Sequence, residues 1–381
     1  DRLGWRAGFT GSAGSAVVLK GKAAVFVGVL YVIQVRDQVD PNLFAIHNVI
    51  DKSPAAWIEE EVEKGRRIGF DPKLHAVDAA ARLRKACDTA GATLVAVADN
   101  PVDAVWHDRP APPVTPVVVH DERYAGRPSA DKRAELSEAL QHADVNAVVL
   151  TAPASIAWLL NIRGRDVART PLALAQAIAH DDGRVDLYID ARKVTPEVRA
   201  HLGNAVTVHD ADRFGDALAA LGHANADVQI DPADASAWVH DILKETGAVI
   251  KKAADPCALP RAKKNAAEIA GTKAAHVRDG AALTRFLAWI AAEGPKGHID
   301  EIAAVKKLEA FRRGTGELKD LSFDTIAGSG PNGAIVHYRV TDRTNRLIQP
   351  GELLLVDSGG QYLDGTTDVT RTIAIGASTD E

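Results

Sequence analysis

Residues 353–372 read LLLVDSGGQYLDGTTDVTRT. A strongly apolar run ends in a carboxylate, Asp357, and a second carboxylate, Asp368, follows among Thr and Val. Glu352 to Val356 carries the pattern of a buried strand, and Thr366 to Ile373 that of a second. Ser358-Gly359-Gly360 and Asp364-Gly365 between them are turn signals. A hairpin is therefore expected, with the two aspartates opposite or nearly so and their Cβ atoms about 4.5–5.5 Å apart. Like charges so placed repel, and a carboxylate near a core is costly unless something compensates it. One remedy is a shared proton. Another is a cation suited to oxygen ligands: Mg, Mn or Ca, with Zn or Co also admissible. A third arrangement leaves one aspartate facing solvent in a turn.

Upstream of this pair, FDTIAGSGPNGAIVHYRV (323–340) reads as strands around a Gly-rich turn. Before that, a long helix is expected to start at Asn265, with Glu268 three residues on completing a capping box. Ile269, Val277, Leu283, Phe286, Leu287 and Ile290 give it an apolar stripe, expected to pack in the core. Long helices followed by antiparallel strands make this last third an α+β domain.

The first two thirds look duplicated. Trp5 is followed by Gly11, by Val17-Val18-Leu19 and by GKAAVFV (21–27). Trp158 is followed by Gly164, by an apolar run near Leu172 and by GRVDLYID (183–190). Helix and strand patterns then alternate in both segments. Residues 53–64 and 78–91 read as helices, the second stopped by Gly91, with a strand at TLVAVAD. In the other segment 210–224 reads as a helix and DVQID as a strand. Two related α/β domains follow from this repetition. A Pro-rich connector, DRPAPPVTP (108–116), and DPCALPRAKK (255–264) mark the joins. The expected domains are 1–126, 127–257 and 258–381.

Composition narrows the function classes. The 381 residues are 46% hydrophobic and 25% charged, ordinary for a globular protein. A net charge of −6 argues against nucleic-acid or anionic-membrane partners. No apolar run approaches the roughly 18–20 residues that span a bilayer. Cys87 and Cys257 sit in no metal or redox spacing and read as buried hydrophobes of a reducing, cytoplasmic compartment. The chain contains no Met. It is expected to be part of a longer protein, or one from which modified methionines are missing.

Two further motifs need weighing. Gly328-Ser329-Gly330-Pro331-Asn332-Gly333 fits the dinucleotide pattern G-x-G-x-x-G, but that pattern must open a helix. Pro331 and Asn332 favour a turn instead, and AIVHYRV after it reads as a strand. His337 lies in that stretch, a candidate functional histidine set against the common case of a packed or surface one.

Taken together, GPNGAIVHY, VDSGGQYLDGTTDVTRT, DLSFDTIA and KNAAEIAGTKAAHVRDGAAL resemble the catalytic domain of the Xaa-Pro aminopeptidase (aminopeptidase P) group of pita-bread metallopeptidases. GFTGSAG and SIAWLLNIRGRDV resemble the first and second domains of its three-domain members. The resemblance covers essentially the whole chain. It implies two creatinase-N-terminal-like α/β domains followed by a pita-bread catalytic domain, incomplete in this chain. It also implies two divalent metals, most often manganese (zinc or cobalt as alternatives), held by two Asp, one His and two Glu. The first Asp falls on Asp357 and the second, bridging one on Asp368; the other three ligands are expected beyond Glu381. His337 falls on a substrate-contacting histidine. The implied reaction is hydrolysis of the bond between an N-terminal residue and a following proline, by a hydroxide bridging the metals. Peptides with proline at the second position are the implied partners, and a homodimer the implied assembly. The 381 residues alone are expected to be inactive. One departure is that Gly28-Val29-Leu30-Tyr31 stands where many members have Asp-Gly-Arg-Tyr; Arg6 stands where an apolar residue is commoner. The competing function is a non-catalytic peptide- or protein-binding member of the same fold, which retention of both aspartates disfavours. Prolidase and creatinase share the catalytic domain but lack the duplicated front half.

Overall fold

The computed structural model of the protein describes residues 2–377. In the first repeat α1 (Arg2–Ala7) leads into β1 (Gly14–Val18), which pairs antiparallel with β2 (Ala23–Val27). After α2 (Val32–Gln38), β3 (Ala45–Asn48) joins β2 in parallel. Ser53 caps α3 (Pro54–Glu61) by accepting the Ala56 N–H, and Pro54 occupies the first turn, where its missing N–H costs nothing. β4 (Arg67–Phe70) and β5 (Thr93–Ala96) pair in parallel around α4 (Val77–Thr89). Gly91 takes the left-handed φ of +67° just past α4, the expected helix stop. α5 (Pro101–Val105) ends this repeat.

The connector carries β6 (Val118–Val119) and α6 (Glu122–Ala125). The second repeat then runs α7 (Ser129–His142), β7 (Ala147–Leu150), α8 (Pro153–Leu160), β8 (Ile162–Arg163), β9 (Gln176–His180) and β10 (Val185–Tyr188). It continues with α9 (Pro196–Leu202), β11 (Val206–His209), α10 (Phe214–His223), β12 (Asp227–Ile230), α11 (Ala237–Thr246) and β13 (Val249–Lys252). Its six strands lie in the order β11-β10-β9-β7-β12-β13. Two apolar clusters cover the two faces: Leu140, Leu160 and Val198 on one, Leu218, Val239 and Leu243 on the other. Burial on both sides explains why β7 reads Ala-Val-Val-Leu without alternation.

The duplication is visible in the backbone bonds between the repeats. Val77 N–H donates to Ala235 O, and Ala237 N–H donates to His75 O. Asp78 N–H donates to Pro232 O, and Trp238 N–H to Pro72 O, both at 3.0 Å. Each bond of a pair is the other with every residue moved by 160 positions (75 to 235, 77 to 237, 72 to 232, 78 to 238). Matching loops of the two repeats therefore meet across a local pseudo-twofold axis.

The chain divides into two compact units. One holds the stretch up to Val119, Ser129–Gly164 and Ala173–Ala262; the other holds His120–Pro128, Arg165–Leu172 and the chain from Lys263. α12 (Ala258–Ala262) closes the first. In the second, α13 (Ala266–Glu293) starts with the expected capping box: Asn265 accepts the Glu268 N–H and Glu268 accepts the Asn265 N–H. α14 (Glu301–Arg313) packs on it, and Leu283, Phe286, Ile290 and Leu308 form the core with Leu354 and Val356. The expected core stripe of α13 holds only in its second half. Ile269 is 44% and Val277 76% exposed, because the core strands meet α13 beyond its midpoint. Two small sheets complete this unit. β14 (Asp320–Leu321) pairs with β17 (Gly360–Gln361), and β15 (Ile326–Ser329), β16 (Leu353–Ser358) and β18 (Val369–Ala374) lie in the order β15-β16-β18. Among the described residues no helix is long and apolar enough to cross a membrane.

Candidate metal centre

β16 sits between two antiparallel neighbours, so Asp357 faces Ile326 on one side and Thr370 on the other. Asp368 stands two residues before Thr370, diagonal to Asp357 rather than opposite it. The expected hairpin is interrupted. After Ser358 the chain turns aside, and β17 pairs with β14 before returning. Gly359 permits the turn, since a Cβ there would collide with Thr367 O. Thr367 is then fixed from both sides. Its Oγ1 accepts the Gly360 N–H at 2.9 Å, and its carbonyl accepts the Ser322 hydroxyl at 2.9 Å. That anchoring delivers Asp368 to its place at the head of β18.

The charge conflict read from the sequence is present. Asp357 is half-buried, and its Oδ1 is enclosed without a hydrogen-bond partner. A buried anionic oxygen of this kind calls for a proton, a water or a cation. Asp368 is exposed at the residue level, yet burial of its carboxyl, the charge of Asp357 and a side-chain hydrogen bond with it raise its pKa above the usual carboxylate range. Two carboxylates so placed are hard oxygen donors that fit a divalent cation. Among the described residues no group of three or more His, Cys, Asp or Glu side chains is arranged to hold a metal. The pair is therefore a partial donor set.

His337 comes from a different element, and its setting corrects the sequence reading. AIVHYRV forms no strand. After β15 a short 3-10 turn, Gly330–Ala334, folds back over the sheet, and His337 lies beyond it, exposed, with φ of +54°. A Cβ on Gly328 would meet Asn332 O at 2.7 Å, and Gly330 has φ of +52°. The glycines of G-x-G-x-x-G thus serve this tight turn, and no α-helix follows to receive a pyrophosphate.

The force that holds the turn is Glu301, the first residue of α14 and fully buried. Its Oε1 accepts the Ser329 N–H at 2.7 Å and the Asn332 amide at 3.0 Å; its Oε2 accepts the Tyr338 hydroxyl at 2.9 Å. Burial, with the bond to Glu301 adding, pushes the Tyr338 phenol up to about 12. Drawing Tyr338 back to Glu301 is incompatible with an extended course through His337.

A second buried network was not anticipated. Arg312 donates from Nε and Nη2 to the two carboxylate oxygens of Asp279 at 2.8 and 2.9 Å, and from Nη2 to Ser358 Oγ at 3.1 Å. Tyr362 donates to Asp279 Oδ1 at 2.7 Å. It pins Ser358, the residue after Asp357. A signal for both networks exists in α14, whose buried positions are Glu301, Ala304, Leu308 and Arg312, spaced three, four and four.

Residues 1–105 and 108–268 each match the creatinase/prolidase N-terminal domain, and residues 270–381 match metallopeptidase family M24. The chain is 38% identical over 386 residues to a probable Xaa-Pro aminopeptidase P of Aspergillus clavatus, covering 98% of this chain and 58% of that protein. The counterpart in Aspergillus niger is also 38% identical, with 98% and 62% covered. The fold matches the crystal structure of a Caenorhabditis elegans X-prolyl aminopeptidase, described as a cytosolic enzyme with a di-nuclear active site. The TM-score is 0.92 at 30% identity, over 100% of this chain and 63% of that one. A Bacillus anthracis Xaa-Pro dipeptidase shares the fold over 66% of each chain, with a TM-score of 0.52 at 21% identity. The chain spans about three fifths of the length of the two fungal relatives and of the Caenorhabditis elegans enzyme.

Proposed function

The chain belongs to metallopeptidase family M24, with two creatinase/prolidase N-terminal domains ahead of its M24 segment, and from that premise we propose that the full-length protein is an Xaa-Pro aminopeptidase. The observation that carries the proposal is the enclosed, unpartnered Oδ1 of Asp357 beside Asp368, inside the M24-matching segment. Asp357 and Asp368 would be two of the side chains that hold the divalent ions, with Asp368 in the role of the shared ligand. When bound, such ions, manganese in this reading with zinc or cobalt as alternatives, supply the Lewis acidity that activates water and the scissile carbonyl.

The chain's own residues do the rest. His337, held on the turn that Glu301 ties down, donates a hydrogen bond to the carbonyl oxygen as negative charge develops on it. Its φ of +54° in the braced turn sets the direction of its Cα–Cβ bond. The selected X–Pro bond is a tertiary amide without an N–H, so a site that offers no acceptor there and fits a pyrrolidine ring prefers it. The three remaining ligands of the dinuclear set lie outside the described residues in this reading. We place the domain boundaries after Gly126 and Cys257, and assign a cytoplasmic homodimer as the working form.

The test is hydrolysis by the full-length protein, with manganese added, of two tripeptides that differ only in proline or alanine at the second position. Release of the N-terminal residue from the proline peptide alone, and its loss in Asp368→Asn, is the expected result. Undiminished activity in Asp368→Asn sinks the assignment. Binding without hydrolysis points instead to a non-catalytic peptide binder.

A further inference from the structure

The segment joining β14 to β15 is longer than the stretch it faces. Asp320 and Leu321 pair with Gln361 and Gly360, Ser322 N–H donates to Gly359 O at 3.1 Å, and Ile326 lies opposite Asp357. Phe323, Asp324 and Thr325 thus stand against the single residue Ser358, and the extra length bulges out beside Asp357. Both ends of the bulge are anchored. Thr325 is buried, and the Ser322 hydroxyl donates to Thr367 O, the contact that seats Asp368.

The carboxylate of Asp324 is engaged from two sides. Arg169 Nε donates to its Oδ1 at 3.1 Å, and Arg339 Nη2 lies 2.6 Å from its Oδ2. Arg169 also donates from Nη1 to Asp320 Oδ1, and Gln361 Nε2 donates to the Arg169 carbonyl at 3.0 Å. Arg169 sits in the loop Arg165–Leu172, which belongs to the same compact unit as the chain from Lys263. That loop closes on itself. Asp166 N–H donates to Leu172 O at 3.0 Å and Thr170 N–H to Val167 O at 3.1 Å, with Arg169 at φ of +64°. A non-glycine residue in the left-handed region is costly and persists where its surroundings hold it. Here β14, the bulge and β17 all do. The charges of Asp320 and Asp324 are matched by those of Arg169 and Arg339, so the bulge adds no net negative charge beside Asp357 and Asp368. With both oxygens taken by guanidinium groups, Asp324 is not a third metal donor, and among the described residues no three-ligand group exists.

Arg339 connects this cluster to the turn. His337, Tyr338 and Arg339 are consecutive; Tyr338 is drawn to the buried Glu301, and Arg339 to Asp324. A tether at Tyr338 alone still lets the backbone pivot about that side chain. A second tether one residue on, to a different element, blocks the pivot and fixes the direction in which the His337 Cα–Cβ bond leaves the backbone. The Arg339 side chain is 64% exposed, and an exposed ion pair adds little to stability. Its effect falls on aim instead.

We propose that Asp324 is a positioning residue for His337, acting through Arg339, with Arg169 bracing it from the other side. This role rests on the aminopeptidase reading, in which His337 donates to the carbonyl oxygen as charge develops there. Such a bond belongs to the transition state, so kcat and not KM carries the effect.

The test uses the full-length protein with manganese and the proline tripeptide. Asp324→Asn keeps the shape of the side chain and removes the charge that holds both guanidinium groups. The expected result is a kcat lower by about tenfold or more with KM within about twofold, and the metal content of the parent. Hydrogen exchange over residues 335–341 becomes several-fold faster while that of β16 does not change. Arg339→Ala gives the same losses, and Arg339→Lys restores most of kcat. Asp324→Asn combined with Arg339→Ala is no worse than either change alone, because both act through one contact. Arg169→Ala moves kcat and exchange in the same direction. A kcat within about twofold of the parent in Asp324→Asn, additive losses in the double variant, or unchanged exchange over 335–341 overturns the proposal. A lower metal content in Asp324→Asn does so too, since Asp324 would then act as a ligand. If the parent hydrolyses neither tripeptide, the aminopeptidase reading has failed, and exchange over 335–341 in Asp324→Asn alone decides whether Asp324 sets the turn.

Discussion

Arg312→Met is the sharpest probe of what holds the strand that carries Asp357. Arg312 is 0% and Asp279 2% exposed, and the guanidinium supplies two of the three hydrogen bonds to that carboxylate. Removing it leaves a buried charge with only the Tyr362 hydroxyl. Breaking a buried pair this way costs about 3–5 kcal/mol. Tyr362→Phe removes one bond to the same anion and costs about 1.5–3 kcal/mol. Arg312→Met with Asp279→Leu removes both charges, and replacing a buried pair by apolar groups is frequently near neutral, so the double variant is more stable than Arg312→Met alone. The assay is urea unfolding read by hydrogen-exchange mass spectrometry on peptides of α13 and β16, which isolates this unit from the two repeats. Because Arg312 also holds Ser358, exchange around Asp357 rises in the single variant before global unfolding. A cost below about 1 kcal/mol for Arg312→Met, or a double variant as unstable as the sum of the singles, refutes the reasoning.

Other outcomes follow from single contacts. Asn265→Ala removes the capping box of α13, costs about 1 kcal/mol and frays the first turn, seen as faster exchange at residues 266–269. Glu301→Ala strands the Ser329 N–H and the Asn332 and Tyr338 side chains, so the turn carrying His337 exchanges faster while the two repeats do not change. Asp364 is held below its ordinary value of 3.8 by its bonds to Arg278, at 3.1 and 2.7 Å. A depressed carboxylate contributes stability that is present above its unfolded value and lost as pH falls through the folded one. Asp364→Asn is therefore destabilising by about 1 kcal/mol at neutral pH, and the difference from the parent shrinks as pH falls below 3.8 and is gone once pH lies well below the folded value. A difference that persists there contradicts the assignment.

Much of this was readable from the sequence, for local reasons. The capping box at Asn265 and the helix stop at Gly91 depend on residues a few positions apart, and the structure has both where the sequence put them. Three features depended on long-range bonds and were missed. The pull of Glu301 on Tyr338, 37 positions away, turned an apparent strand into the turn that carries His337. Pairing of β17 with β14 opened the hairpin and set Asp368 diagonal to Asp357. Arg312 was not singled out in the sequence, and its one local signal is its place on the buried stripe with Leu308. Ile269 and Val277 show the converse: periodicity identified an apolar face but not how far along α13 the core extends.

The central claim is that Asp357 and Asp368 form part of a dinuclear centre, and metal stoichiometry tests it most directly. The full-length protein, loaded with manganese, passed through gel filtration and measured by elemental mass spectrometry, is predicted to retain two ions per chain. Asp368→Asn is predicted to retain fewer than one, with its fold intact by circular dichroism. Two ions retained in that variant, or none in the parent, would contradict the account.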